Sequence, residues 1–498
     1  MHRYLLALDQ GTTSSRAILF DLYGNILAQS QYEFRQVYLQ NGFIEHDPDD
    51  ILETQIRAIS DALGIAGVKS SEIISIGISN QRETTIIWEK STGKPVYNAI
   101  VWQCRRTKPL CEALIKDGLN EYVQNTTGLL IDPYFSATKI RYILDHIDAG
   151  QLRAEKGELL FGTVDTWLIW NLTGRHVTDY TNASRTMLFD IHNLRWDHAL
   201  QKRLNIPHCM MPEVGPSSYI YGKVKPHIRG LELISGVPIA GVAGDQQAAL
   251  FGQACFDSGM SKCTYGTGGF LMMNTGSKCV VSKNNLLTTI AWGIDGDVEY
   301  ALEGSIFNVG STIKWLRDEI GLISCSHEID ILAESVLDAG GTYFVSGFTG
   351  LGAPYWDACA RGAFLGITRA TTRAHLARAV LEGIAYQVED LVQTMRRDTT
   401  LPITQIRVDG GVSKSNALMQ FQADILDVSI SRPKQVESSA LGAAYLAGLA
   451  SGAYASKDEI AKLWQKESCF QPYMDSISRE TRLSGWWRAV ERAMHWEQ

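Results

Sequence analysis

The apolar positions of this chain follow two rhythms: short unbroken runs that end in glycine-bearing turns, and longer stretches that recur every three to four residues. Tyr4-Leu5-Leu6-Ala7-Leu8 is the first run. It closes on Asp9-Gln10-Gly11-Thr12-Thr13-Ser14-Ser15-Arg16, and Ala17-Ile18-Leu19-Phe20 resumes at once. Such a pattern predicts a strand–turn–strand hairpin with buried strands. A turn at 21–25 and a further strand at 26–34 extend it to a three-stranded meander. Asp47-Pro48-Asp49 then opens a helix whose apolar residues Ile51, Leu52, Ile56, Ile59 and Leu63 keep helical spacing. A buried strand at 73–78 empties into Ser79-Asn80-Gln81-Arg82-Glu83, and the segments 84–88 and 94–101 predict a hairpin through Ser91-Thr92-Gly93. Helices are predicted at 133–147 and 165–172, followed by a loop-rich connection over 193–238.

The second half repeats the opening theme. A strand at 260–265 ends in Gly266-Thr267-Gly268-Gly269, and a strand at 270–274 follows directly. Two such units roughly 250 residues apart predict an internal duplication rather than a short-period repeat. The two halves, 1–250 and 251–498, are expected to face each other as lobes, with a boundary near 237–252. Beyond them lie a helix at 374–398, a strand at 405–408 closing on Asp409-Gly410-Gly411, a helix at 416–426 and a small-residue helix at 439–450. The last predicted helix, 480–497, carries Trp486, Trp487, Val490, Ala493 and Met494 on the face expected to pack.

Composition narrows the picture. A chain of 498 residues exceeds what one core can hold, and 45% hydrophobic with 20% charged residues is an ordinary globular balance. The formal net charge of −8 provides no long-range attraction for nucleic acid or an acidic membrane, so an anionic ligand must be held by local donors. Small-molecule partners are expected. Nine cysteines show no C-x-x-C spacing and eleven histidines no H-x-x-x-H, which predicts reduced thiols in a cytoplasmic protein without a structural metal. The longest uncharged stretch, 440–455, falls short of the about 20 apolar residues a membrane span needs. No basic segment followed by a long apolar one marks a signal peptide.

Three places carry candidate chemistry. The first turn offers a carboxylate, a glycine, four consecutive hydroxyls and an arginine, a set able to cradle phosphate while Asp9 faces a metal ion; a ligand-free hydroxyl-rich turn is the alternative. Neither G-x-x-x-x-G-K-[ST] nor G-x-G-x-x-G occurs, which argues against P-loop and Rossmann nucleotide sites. Asp245 stands between a strand at 238–243 and an Ala-rich helix, where a carboxylate serves either as a general base or as a helix cap. Arg82 and Glu83 are adjacent, so they can meet one ligand only from a loop; donor and acceptor together suit vicinal hydroxyls, and a surface ion pair is the plain alternative.

Eight collinear blocks resemble the glycerol kinase branch of the FGGY carbohydrate kinases. They include Asp9-Gln10-Gly11-Thr12-Thr13-Ser14, Asn80-Gln81-Arg82-Glu83-Thr84-Thr85, Trp102-Gln103-Cys104-Arg105-Arg106-Thr107 and Gly162-Thr163-Val164-Asp165-Thr166-Trp167. Thr181-Asn182-Ala183-Ser184-Arg185-Thr186, Gly244-Asp245-Gln246-Gln247, Tyr265-Gly266-Thr267-Gly268 and Gly350-Leu351-Gly352-Ala353-Pro354-Tyr355-Trp356 complete the set. The resemblance implies an α/β protein of two ribonuclease-H-like domains, the actin-like ATPase fold, with an interdomain active-site cleft. It implies ATP-dependent phosphorylation of glycerol to sn-glycerol 3-phosphate, with Asp245 as general base. Arg82, Glu83, Trp102, Tyr134, Asp245, Gln246 and Phe270 would hold glycerol, the aromatics walling in its carbon chain. Thr12, Thr13, Ser14, Arg16, Thr267, Gly310, Lys314, Gly411 and Ser415 would meet ATP, and Asp9 and Asp245 would hold Mg²⁺ through water. Lys314 and Ser415 stand where the family commonly has amides. A homodimer or homotetramer is implied as well. A ketose or pentitol kinase of the same fold, and a non-catalytic actin-like ATPase, are the rival readings that the Arg82-Glu83-Trp102 set argues against.

Overall fold

The unbroken apolar run at the N-terminus folds as β1 (Tyr4–Gln10), buried from Leu5 onward because both of its faces are covered. Alternate side chains point to opposite sides. Leu6 and Leu8 join Ile51, Ile59 and Leu63 of α1 (Pro48–Ala66), whereas Leu5 and Ala7 join Ala440, Leu441 and Ala444 from far along the chain. The structure is a computed structural model and describes residues 3–39 and 42–497.

β1 pairs antiparallel with β2 (Ser14–Asp21), and β2 with β3 (Ile26–Glu33), forming the expected meander. α1 starts where Asp47 accepts a hydrogen bond from the Asp49 amide, and it returns the chain to β4 (Ile73–Asn80), parallel to β1. A long segment holding α2 (Ser136–His146) intervenes before β5 (Ser218–Lys223) and β6 (Pro238–Gly244); β6 lies parallel to β4 and runs into α3 (Asp245–Gly252). The sheet order is β5-β6-β4-β1-β2-β3.

The second sheet holds β7 (Ser261–Tyr265), β8 (Gly269–Gly276), β9 (Leu287–Ile294), β10 (Asp297–Ile306), β11 (Gln405–Asp409), β12 (Ser429–Pro433) and β13 (Lys466–Phe470), in the order β9-β10-β8-β7-β11-β12-β13. Its helices are α4 (Gly310–Asp318), α5 (Arg373–Asp398), α6 (Asn416–Leu426), α7 (Ser438–Ala450) and α8 (Ser476–Ala493). Read from β3 and from β10, the two sheets show the same succession of antiparallel and parallel neighbours, so the duplication extends from the turns to whole sheets.

Helix α7 is encoded late but packs on the first sheet and on α3. A Cβ on Gly442 would lie 1.8 Å from the Ala248 carbonyl oxygen, so only glycine permits this backbone approach. That contact accounts for the small-residue composition of 439–450. The expected hairpin at 84–101 forms only in part. Its turn closes through Glu89 N to Lys94 O at 2.9 Å, but the strand Ile86–Glu89 takes its ladder partner from Leu159–Gly162. Pro95 still bridges to Trp88 at a position that needs no N–H, with Val96 N donating to Ile87 O at 3.0 Å, so a short stub of the hairpin remains. α8 docks as expected through Trp486, whose indole N–H donates to Asp390 at 2.8 Å. All nine cysteines are free thiols, and among the described residues no helix is long and apolar enough to cross a membrane.

Candidate active site

The first hairpin turn is held rigid from behind. Gly11 N donates to Ser14 O at 2.9 Å, and the Gln36 amide donates to Thr12 O at 3.1 Å. His46 braces that amide at 2.8 Å; burial pushes its pKa down to about 4, leaving a neutral ring. Ser14 Oγ accepts from Gln31 at 2.9 Å. Asp9, at the end of β1, pairs across the ladder with Arg16, whose Nη2 donates to its carboxylate while Nη1 reaches Glu437 at 2.5 Å. Asp9 above all, then Glu437, raise the Arg16 pKa against the effect of burial, so the guanidinium stays charged.

The second turn is built the same way. Gly266 N donates to Gly268 O at 2.9 Å, and Val309 N and Gly310 N donate back to Thr267 O and Gly266 O. Gly310 opens α4 against this turn, where a Cβ would sit 2.6 Å from Gly266 O. Gly411 follows β11, and a Cβ there would meet nothing within 4 Å, which leaves room for an approaching ligand. Lys314 is exposed on α4. Ser415 is engaged within the fold: its hydroxyl caps α6 by accepting from Leu418 N and donates to Asp330.

Between the turns lies a buried charge cluster. β4 ends at Asn80, and Arg82 and Glu83 occupy the loop beyond it, Glu83 in the left-handed region at φ 61°. Neither belongs to a surface ion pair, since Arg82 is 3% exposed and Glu83 1%. Arg82 donates from Nη1 and Nη2 to Glu303 at 2.5 and 3.1 Å, and its Nε lies 3.2 Å from Asp245 Oδ1. Arg185 bridges Glu83 at 2.6 Å and Glu303 at 2.9 Å. Burial opposes the charge on Glu303, but Arg185 and Arg82 overcome it and hold its carboxyl down to about 2. Among the described residues, one N–H of Arg82 Nη2 and the Oε2 of Glu83 keep no partner.

Asp245 is the first residue of α3; the cap position belongs to Gly244. Its carboxylate accepts from Gln246 N at 2.8 Å and from the Gln246 amide at 3.1 Å, and one third of the side chain is exposed. Burial raises its pKa, with Arg82 and Gln246 pulling it back. The Gln246 oxygen accepts from Lys262, a buried cation on β7 that also donates to Thr264 at 2.8 Å. The amide nitrogen therefore faces the aspartate.

Trp102, Tyr134 and Phe270 form one aromatic wall, with Trp102 edge-on to Tyr134 at 5.6 Å and to Phe270 at 6.5 Å. They line a cavity of about 380 Å³ that also touches Thr267, Ser311 and Trp356. The Trp102 indole donates to Thr12 Oγ1 at 3.0 Å, so it joins this wall to the first turn. Sequence reasoning gave no role to Glu303, Arg185, Lys262 or Lys139, all fully buried. A signal existed for two of them: Glu303 interrupts the apolar end of its strand, and Lys139 shares the stripe of Ile140, Ile143 and Leu144 on α2.

Among the described residues no group of three His, Cys, Asp or Glu side chains is placed to hold a metal ion. A Mg²⁺ ion that keeps most of its water and is carried on a phosphate chain needs only one or two carboxylates, and Asp9 and Asp245 offer oxygen donors of that kind.

Duplicated sheets facing each other across a cleft, each presenting a hydroxyl-bearing turn, define a protein of the two-lobed actin-like ATPase fold. The model of the N-terminal domain of the FGGY family of carbohydrate kinases matches residues 4–252, and that of the C-terminal domain matches residues 261–451. Glycerol kinase 2 of Thermotoga maritima is 58% identical over 498 residues, and a glycerol kinase of Thermoanaerobacter sp. is 55% identical over 500; both alignments cover 100% of each chain. The crystal structure of Plasmodium falciparum glycerol kinase with ADP superposes with a TM-score of 0.92 at 37% identity, covering 99% of this chain and 98% of that one. The chain belongs to the FGGY family of carbohydrate kinases, and it is a kinase.

Proposed function

We propose that this kinase transfers the γ-phosphoryl group of ATP to a terminal hydroxyl of glycerol, yielding sn-glycerol 3-phosphate and ADP. One observation carries the reading: an open donor on Arg82 and an open acceptor on Glu83 sit beside Asp245 in a cluster whose guanidiniums are already paired with carboxylates. Two guanidiniums against the three carboxylates of Glu83, Glu303 and Asp245 favour an uncharged polyol over an anionic sugar acid. The full-length identity to proteins named glycerol kinase supports the same substrate.

In this mechanism Asp245 accepts the proton of the attacking hydroxyl while its oxygen bonds to the γ-phosphorus and the bond to the departing ADP breaks. Arg82, Gln246 and Glu83 orient the hydroxyls, and Trp102, Tyr134 and Phe270 pack the carbon chain. Thr12, Thr13, Ser14, Arg16 and Thr267 supply donors to the phosphates, and Gly310 and Gly411 let backbone approach the nucleotide. Mg²⁺, when bound, neutralises phosphate charge, and Asp9 and Asp245 are the residues that would hold it through water. The unpaired thiols suit a reducing, cytoplasmic setting.

A coupled assay of ADP formation across glycerol, a pentitol, a ketopentose and gluconate tests the reading. Glycerol is expected to give the highest kcat/KM by about 100-fold, because the wall of Trp102, Tyr134 and Phe270 fits a short carbon chain and refuses a longer one by size. No glycerol-stimulated ADP formation would end it.

A further inference from the structure

Two segments shape the expected polyol pocket, the Arg82-Glu83 loop and the turn before α2 that carries Tyr134. Each presents a backbone carbonyl to the same amine. Lys139 Nζ donates to Tyr134 O at 2.7 Å and to Glu83 O at 3.4 Å, and Ser136 Oγ adds a bond to Glu83 O at 3.0 Å. Glu83 holds a left-handed backbone, a conformation that persists only where its surroundings over-determine it. Lys139 is fully buried on the apolar stripe of α2. Burying an ammonium there carries a desolvation cost that an apolar chain of equal length would avoid, and its bonds to the two carbonyls are what offset it. The amine is explained by what it holds.

We propose that Lys139 is a positioning residue for the polyol, its ammonium tying the Glu83 loop to the Tyr134 turn so that carboxylate and ring keep a fixed separation. The inference rests on glycerol being the substrate. Glu83, from the loop after β4, faces the amine together with Cys104 and Arg105 from the 101–107 loop and Asp132 from the turn before α2. Burial, reinforced by Arg105, outweighs Glu83, Cys104 and Asp132 and lowers the Lys139 pKa to about 7. Below neutrality the clamp is charged; above it the bonds lose their charge assistance.

Steady-state kinetics between roughly pH 6 and 9 on wild type, Lys139→Met and Ser136→Ala decide the matter. Wild-type KM for glycerol should rise as pH passes through neutrality. In Lys139→Met it should be about tenfold higher at the acid end and flat with pH, as the loss of a charge-assisted bond implies, with kcat and the KM for ATP nearly unchanged. Ser136→Ala should raise the KM for glycerol a few-fold and keep the wild-type profile. A purely structural lysine would lower thermal stability without moving the KM. An unchanged KM in Lys139→Met, or a wild-type pH profile in that variant, overturns the clamp. Should Lys139→Met not fold, an unchanged KM in Ser136→Ala overturns it. A wild-type enzyme silent toward glycerol retires the substrate reading instead.

Discussion

Arg82 and Glu303 meet through two parallel contacts, Nη1 to Oε2 at 2.5 Å and Nη2 to Oε1 at 3.1 Å, joining the loop after β4 to β10 of the opposite sheet. With its fork fixed this way, Arg82 turns its Nε toward Asp245. Glu303 thus sets the plane of a guanidinium that the proposed mechanism needs beside the base. Glu303→Gln would leave two buried guanidiniums to share Glu83 and the partly exposed Asp245. Breaking a buried pair from one side costs about 3–5 kcal/mol, so urea denaturation should show a loss of that size, together with a raised KM for glycerol. Wild-type stability and KM would show that the cluster does not depend on this residue.

Asp245→Asn keeps the shape of the side chain and removes the proton acceptor. Turnover is expected to fall by about 10²–10⁴, the usual worth of a positioned base, while glycerol affinity measured by calorimetry changes little. Near-normal turnover would take Asp245 out of the base role.

Trp102 links two subsites, since its ring faces Tyr134 and Phe270 while its N–H reaches Thr12. Trp102→Phe preserves most of the wall and deletes the donor. The KM for ATP should rise by about 2–10-fold, the value of one hydrogen bond, and the KM for glycerol by less. If the glycerol KM alone moves, the indole does not support the first turn.

Asp390 accepts from the indoles of Trp486 at 2.8 Å and Trp487 at 3.0 Å, anchoring α8 to α5. Burial raises its pKa to about 6 despite these donors. A carboxyl whose folded pKa exceeds its unfolded value, about 3.9, contributes stability that is full below that value and lost as pH rises to about 6. At about 1.4 kcal/mol per pH unit, the stability difference between wild type and Asp390→Asn should shift in favour of the variant by about 2–3 kcal/mol from pH 4 to pH 8. A difference independent of pH would place the titration of Asp390 in the ordinary range.

Much of the architecture was legible because its signals are local. The Asp47 cap, the spacing of Ile51, Ile59 and Leu63, and the short apolar runs around Gly11 and Gly266 are patterns a few residues long, and each forms the element it predicts. The hairpin expected at 84–101 forms only in part for a non-local reason: the strand Ile86–Glu89 takes its ladder partner from Leu159–Gly162 and keeps only isolated bridges to the returning arm. Within the site, Arg82, Glu83, Trp102, Tyr134, Asp245, Gln246, Phe270 and the two turns gather at one cleft. Ser415 spends its hydroxyl on capping α6 and on Asp330, a use that depends on where the helix Glu328–Glu334 packs.

By itself the sequence determined that two strand–turn–strand units recur and that a carboxylate opens the helix after β6, because backbone period and turn chemistry are written in neighbouring residues. Only the tertiary structure decided that Glu303 would neutralise Arg82 across 221 positions, that Lys139 would clasp two pocket walls, and that α7 would cover the first sheet. Those pairings arise where two sheets close on one cleft and burial forces each charge to find a partner, a demand that no local pattern of residues expresses.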